Sequence, residues 1–418
     1  METASGVAST PSSGHFDPRD AEVIQNPFPA LARLRENEPL HFSEAMAGWV
    51  ITRYEDVRNS MRDPRYSANR LRPFFAHMDP TRRERLAALE KNLSLWAVFN
   101  DPPDHGRLRN LMNKAFTTSV LAHMEGPIAE MVESLVDELA EQDGEVDFIR
   151  AFAYPLPAMV IAEILGVPRE DVAHLKRWSD ELASFVLTSR LSPDRYGRAD
   201  AAIREMHDYF GQMAQRLRKQ SDGGIISRMV VAEEKGDFLS GDELVAACVL
   251  LLFAGHETTT QLFGNGLYAL LRWPEQLQGL RAGLHDRRQV ENAVEEILRW
   301  DGPGLAGVRV LNEDVELHGQ RMPAGSRIFQ FVAAANRDPA VFDDPDRFDI
   351  SRDPNPHLTF GYGIHFCLGA PLARMEARIA WPIILKRLRD IELVETPRFS
   401  DSMIVRGLEG LRVRCRRA

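Results

Sequence analysis

Residues 360–374 read FGYGIHFCLGAPLAR, and one cysteine in this stretch decides how the chain is to be understood. Phe360, Gly363, Cys367 and Gly369 fit the pattern F-x-x-G-x-x-x-C-x-G, and an apolar helical stretch, APLARMEARIAWPIILKRL, follows directly. A sulfur at a helix N-terminus meets unpaired N–H groups and the positive end of the macrodipole, which favour thiolate over thiol. Gly363 permits a tight turn, Gly369 permits close backbone approach, and Phe360 can pack beside the sulfur. A cysteine held this way suits a thiolate that ligates haem iron, its basicity tuned by nearby N–H groups. The chain has two other cysteines, Cys248 and Cys415. Both read as small buried hydrophobes, and an odd, sparse count excludes a disulfide framework and fits a reducing compartment.

A second stretch, LLLFAGHETTTQLFG at 250–264, lies within a long apolar helical pattern. Ser240 and Glu243 form a capping box, Asp242 adds charge near the start, and Trp273-Pro274 closes the pattern. Such a helix spans roughly 48 Å at 1.5 Å per residue and crosses the whole domain. Its polar middle has two readings. His256-Glu257 resembles the start of an H-E-x-x-H zinc site, but the fifth residue is Thr260, a poor zinc ligand. The other reading is a notch opened for something that binds against the helix.

Helical periodicity dominates elsewhere, as in PIAEMVESLVDELAEQ at 127–142, while HFSEAMAGWVITR and DVELHGQRMPAGSRIFQF read as strands with turns. We expect a mainly α protein with a small β portion split between the two ends. The polar stretch 1–20 reads as a disordered leader without signal-peptide features, and 21–418 as one catalytic domain. The run Leu244–Gly255 falls short of the about 20 residues a bilayer requires. A net charge of −10 argues against nucleic acid or acidic lipid as the main partner. These features predict a soluble cytoplasmic protein with no nucleic-acid or membrane partner.

Together these motifs resemble those of the cytochrome P450 family, in its soluble bacterial form, over nearly the whole chain. The resemblance implies the family fold: a long central helix over haem, and a cysteine-ligand loop before a C-terminal helix. It implies haem b with Cys367 as axial iron ligand, cradled by Phe360, Gly363 and Gly369. It makes AGHETT (254–259) the oxygen-binding segment, with Ala254 and Gly255 shaping a groove, Glu257 helping to deliver protons and Thr258 organising them. Proton delivery into an apolar cavity independently calls for a carboxylate and a hydroxyl. His105 and Arg109, one helical turn apart, together with Arg309 and His365, are expected on the haem propionates. Glu296 and Arg299, at i and i+3 in EEILR, are expected to form a buried structural cluster with Arg347.

The resemblance further implies a monooxygenase acting with O2, its NAD(P)H electrons carried by a separate ferredoxin and ferredoxin reductase, and we expect a monomer. Arg374, Arg378, Lys386, Arg107 and Lys114 are candidates for a basic docking face. Phe74, Phe75, Trp96, Val98, Leu251, Leu305, Val308 and Ile404 are expected to line the substrate pocket, which suits a small or medium apolar molecule. The stretch around 180–200 is expected to join them. Arg70 and Arg72 either pair with a substrate carboxylate or face water, the latter being favoured. Two other functions compete: a peroxide-driven peroxygenase, which usually lacks the acid and threonine, and a haem sensor or electron carrier, which needs no proton relay.

Overall fold

The computed structural model describes residues 16–142, 144–187, 194–222, 224–234 and 240–417. Its axis is the helix Gly241–Arg272, 32 residues long, which starts at the reciprocal Ser240–Glu243 capping box and stops at Trp273 before Pro274. The helices Pro155–Leu165, Val172–Val186, Arg195–Lys219, Arg287–Asp301 and Ala370–Arg387 pack around it. Among the described residues it is the one helix long and apolar enough to cross a membrane, and 78% of its most apolar window is buried inside the protein. Its hydrophobicity therefore reflects a core position on nearly all sides.

The strands Leu40–Ser43, Gly48–Ile51 and Arg327–Gln330 fall in the two alternating stretches, while Tyr66–Ser67, Gly144–Asp147, Gly307–Leu311, Leu388–Leu393 and Arg412–Arg417 lie outside them. Five strands run in the order Leu40–Ser43, Gly48–Ile51, Arg327–Gln330, Gly307–Leu311 and Tyr66–Ser67, with one parallel pair, Gly48–Ile51 against Arg327–Gln330. A three-stranded sheet joins Gly144–Asp147, Arg412–Arg417 and Leu388–Leu393. Cys248 and Cys415 are buried among apolar side chains, as expected. The expected leader lies outside the described residues up to residue 15. From Phe16 on the chain belongs to the core: that ring is buried, with its centroid 5.6 Å from that of Phe331, edge to face.

The structure corrects one member of the structural cluster. Glu296 and Arg299 are both fully buried and joined by two bonds of 2.7 Å. The second guanidinium on Glu296 belongs to Arg352, at 3.3 Å, not to Arg347. The Arg347 side chain is exposed while the adjacent Phe348 fills the interior, and Arg347 contributes only its carbonyl, 3.0 Å from Arg299 Nη2. Asn355 Nδ2 and the Asp349 N–H also donate to Glu296, so its carboxylate is enclosed by donors. Arg299 in turn donates to the carbonyls of Asn336 and Pro345, which ties the helix Arg287–Asp301 to the segment leading to the cysteine. Glu296→Ala would strand two guanidiniums and should cost about 3–5 kcal/mol. In thermal unfolding, Arg352→Ala should lower the midpoint clearly, whereas Arg347→Ala should stay within about 0.5 kcal/mol of the parent.

Candidate active site

Cys367 sits in a loop built by backbone, not by side chains. Its N–H donates to the Phe360 carbonyl at 2.8 Å, and Gly363 takes a φ of 75°, the left-handed conformation that favours glycine. Gly369 is the N-cap of the helix Ala370–Arg387. Burial pushes the Cys367 thiol above its ordinary value, while the N–H groups of Gly369 and Ala370 and the charge of Arg109 pull it down. The helix terminus thus acts in the expected direction but does not outweigh burial. Coordination to a metal deprotonates such a thiol outright.

Beside the sulfur, four nitrogen-bearing side chains from three elements converge: His105 and Arg109 from the helix Asp104–Ala115, Arg309 from the strand Gly307–Leu311 and His365 from the turn Gly363–His365. His105 and His365 have ring centroids 4.3 Å apart, with Arg109 and Arg309 close enough to depress the histidines. Burial pushes all four below their ordinary values; mutual repulsion lowers the histidines further, His365 to about 3. Among the described residues none of the four has an acidic ion-pair partner, although the charge of Asp101 is felt at Arg309. Buried cations without counter-charges mark a place for anions.

The long helix forms another wall. It runs unbroken past the polar motif, so the notch comes from small side chains. Ala254, Gly255, Glu257 and Thr258 line the same cavity as Cys367, His105 and Arg109. A Cβ on Gly255 would lie 2.7 Å from Ile161, so glycine also permits close helix packing there. The Thr258 hydroxyl donates to the Ala254 carbonyl at 2.8 Å. Thr260, at the zinc motif's failed position, is buried and donates to the His256 carbonyl. Burial, reinforced by the charge of Asp180, pushes the Glu257 carboxyl up to about 8.

Residues 50–406 match the model of the family described as cytochrome P450. The chain belongs to this family. It is 38% identical over 424 residues to the cytochrome P450 monooxygenase PikC of Streptomyces venezuelae, covering 99% of this chain and 97% of that one. It is 38% identical to the vitamin D(3) 25-hydroxylase of Pseudonocardia autotrophica, covering 93% and 94%. A crystal structure of P450BioI with an acyl carrier protein ligated to hexadec-9Z-enoic acid superposes with a TM-score of 0.86, at 33% identity, covering 94% of this chain and 99% of that one. This P450 is therefore a bacterial haem-thiolate monooxygenase, and the family works with haem, O2 and electrons from a reductant. The residues lining the cavity fit haem: a cysteine sulfur on its wall, two guanidiniums and two imidazoles with no acidic ion-pair partner among the described residues to receive two propionates, and apolar surfaces between them.

The cavity of this P450 has a lobe of about 380 Å³, continuous through Thr258, Phe360 and Cys367 with a second of about 280 Å³. Trp96, Val98, Leu251 and Ile404 line it as expected, joined by Val186 and Leu187. Residues 188–193 of the expected stretch lie outside the described residues. Four expectations fail. Phe75 is buried in the core beneath its short helix, and Phe74 points outward to stack on Tyr196 at 6.4 Å. Leu305 and Val308 belong to a separate apolar cluster with Phe16, Leu31 and Phe331. Of the two loop arginines, Arg72 is exposed, but Arg70 lines the cavity, its guanidinium 5.0 Å from the Phe99 ring. Burial and the neighbouring Arg309 push Arg70 down to about 10.

The expected docking face is less basic than its residue types suggest. Arg107 pairs with Glu243, Arg374 with Glu295, and Arg378 with Glu125, while Lys386 is exposed. The Lys114 side chain lies outside the described residues. The sequence reading favoured water for Arg70, which is a wall residue, and took His256 only as part of the failed zinc motif; it missed Tyr154 and Asp180, which gather with His256 around Glu257. If the four nitrogen donors hold the propionates, Arg109→Leu and Arg309→Leu should each speed haem loss to a scavenger protein about tenfold, from the loss of a charge-assisted hydrogen bond. Arg72→Leu, an exposed neighbour, should leave that rate unchanged.

Proposed function

We propose that this P450 inserts one oxygen atom from O2 into a small or medium apolar substrate, by hydroxylation or epoxidation. One observation carries the proposal: Cys367 and the acid–hydroxyl pair Glu257–Thr258 line a single cavity. Haem b, when bound, would supply dioxygen activation, and Cys367 would hold its iron through the sulfur. Phe360, Gly363 and Gly369 shape the loop around that sulfur, and His105, Arg109, Arg309 and His365 hold the propionates. Glu257 is protonated at neutral pH because its environment resists the charge, so its carboxyl is a donor. The Thr258 hydroxyl, whose hydrogen is committed to the Ala254 carbonyl, offers its lone pairs as an acceptor in the cavity.

Apolar lining from Val98, Phe99, Leu250, Leu251, Phe253 and Ile404 suits a hydrocarbon-rich ligand. Arg70 adds one cation for a polar end such as a carboxylate, consistent with the acyl ligand of the P450BioI complex. In this proposal electrons pass from NAD(P)H through a ferredoxin reductase and a ferredoxin. The ferredoxin docks by the cysteine loop, where Ile364 and Phe366 are exposed and the Glu295-paired Arg374 sits over Phe360. The protein acts as a soluble cytoplasmic monomer. The presence of both acid and threonine favours this scheme over a peroxide-driven or non-catalytic one.

Two measurements test it. The dithionite-reduced, carbon monoxide-bound protein should show the far-red-shifted Soret band of thiolate ligation, absent in Cys367→His; a histidine-type band in the parent would overturn the assignment. Glu257→Gln should lower coupled turnover by about a hundredfold. Because Glu257 donates only while protonated, the parent rate should be flat at neutral pH and fall as pH rises through about 8. Glu257→Gln should lack that alkaline limb.

A further inference from the structure

His256 is wholly buried on the long helix, and the reading above gives it no task. Its Nε2–H donates to the Tyr154 carbonyl at 3.1 Å, which fixes the tautomer and leaves Nδ1 as a bare lone pair. That atom has no hydrogen-bond partner among the described residues. It lies 3.9 Å from Oε1 of Glu257. A buried acceptor left unsatisfied costs about 1–3 kcal/mol, and nearly all such atoms in folded proteins find a donor. A protonated Glu257 carboxyl would supply one through a small side-chain rotation.

Asp180, on the helix Val172–Val186, completes the cluster. One oxygen of Asp180, one ring nitrogen of His256 and one oxygen of Glu257 all lie within 4.8 Å of one another. Asp180 is exposed, and the Tyr154 hydroxyl reaches both of its oxygens, at 2.8 and 2.7 Å. The Lys176 ammonium, one turn back on the same helix, lies 5.3 Å from the centre of the Tyr154 ring. The groups facing Glu257 are thus His256 from its own helix, Asp180, Lys176 and Ser179 from the helix Val172–Val186, and Tyr154 at the start of the helix Pro155–Leu165. One acid of the pair touches water and the other lines the cavity.

We infer that Asp180 and Glu257 are the outer and inner carboxyls of a proton inlet, with His256 Nδ1 the acceptor that holds Glu257 in its loaded position. This rests on the proposed role of Glu257. Asp180 takes a proton from solvent; its O–H bond breaks as one forms on the Glu257 carboxylate, and Asp180 returns to its ionised form. Glu257 then gives the proton to a cavity water that hydrogen-bonds the Thr258 oxygen, its O–H bond breaking as an O–H bond forms on the water, so one proton moves inward and no electron moves. The surroundings favour each state. Loss of solvent pushes Asp180 up despite the Tyr154 hydroxyl, so it holds a proton more often than an ordinary surface aspartate does. Burial pushes His256 down to about 4, so the ring stays neutral and does not compete for the proton.

The test uses the haem-loaded full chain and an infrared titration of its protonated-carboxyl band, assigned to Glu257 by its loss in Glu257→Gln. The parent midpoint should lie near pH 8. Asp180→Asn removes a neighbouring negative charge and should move the midpoint down by about one unit. It should also cut product formed per NAD(P)H roughly tenfold, with Asp180→Glu restoring both. His256→Leu should shift the band frequency, and His256→Gln, which restores an acceptor, should bring it back. An unchanged midpoint and coupling in Asp180→Asn would overturn the inlet. If Glu257→Gln collapses coupling while Asp180→Asn does not, only the inlet fails; if Glu257→Gln itself keeps full coupling, the proton-donor role of Glu257 fails as well.

Discussion

The helix Gly241–Arg272 is buried along most of its length, and that burial constrains everything around it. A helix in such a position cannot carry a free polar side chain without losing stability. His256 is therefore tied to the Tyr154 carbonyl, Thr260 to its own turn, and Asn265 to the carbonyls of Asp301 and Arg406. Glu257, Thr258 and Thr259 face the cavity, Thr258 with its hydroxyl bonded back to the Ala254 carbonyl. Function on this helix is what remains once its packing demands have been met.

How much the sequence revealed follows from how local each feature is. The cysteine loop and the long helix were legible because their determinants lie within a few residues: Gly363 at a positive φ, the Ser240–Glu243 capping box, and the Trp273-Pro274 stop. The pocket list failed where side-chain direction mattered. Arg309 and Val308 are adjacent on the strand Gly307–Leu311, so a strand's two-residue period sends them to opposite faces. Gly307 and Arg309 face the cavity, and Val308 faces the Phe329 cluster. The sequence reading assigned no strand at 307–311, so nothing there separated the two side chains. Arg347 failed for a related reason, since the turn that buries Phe348 exposes its neighbour and brings Arg352 back to Glu296. Tyr154 and Asp180 carried no signal at all. Only tertiary packing of three helices brings them to a motif 102 and 76 residues away.

Charge at the surface shows the same limit. The arginines that looked like a docking patch are engaged with Glu243, Glu295 and Glu125, and Arg374 also lies 4.5 Å from the centre of the Phe360 ring. Arg374 thus supports the loop that carries Cys367 as well as its surface charge. At the cysteine loop the exposed Ile364 and Phe366 lie beside Phe360, over which the Glu295-paired Arg374 sits, so a partner meets apolar side chains and an ion pair and not a field of one sign. Electrostatic steering toward such a mosaic is weak, and shape and apolar contact must supply more of the recognition.

Within the cavity, one physical effect acts in opposite directions on different residues. Loss of solvent disfavours charge, so it lowers His105, Arg109, Arg309 and His365 and raises Glu257. The nitrogen groups are held where charge is costly, and a bound anion relieves that cost by pairing with them. Glu257 avoids the cost by keeping its proton, which makes it a donor at neutral pH. An apolar chamber thus produces, without any special chemistry in the side chains themselves, an anion-seeking wall and a proton-holding wall. Both belong to the same cavity because one long helix and one cysteine loop enclose it together.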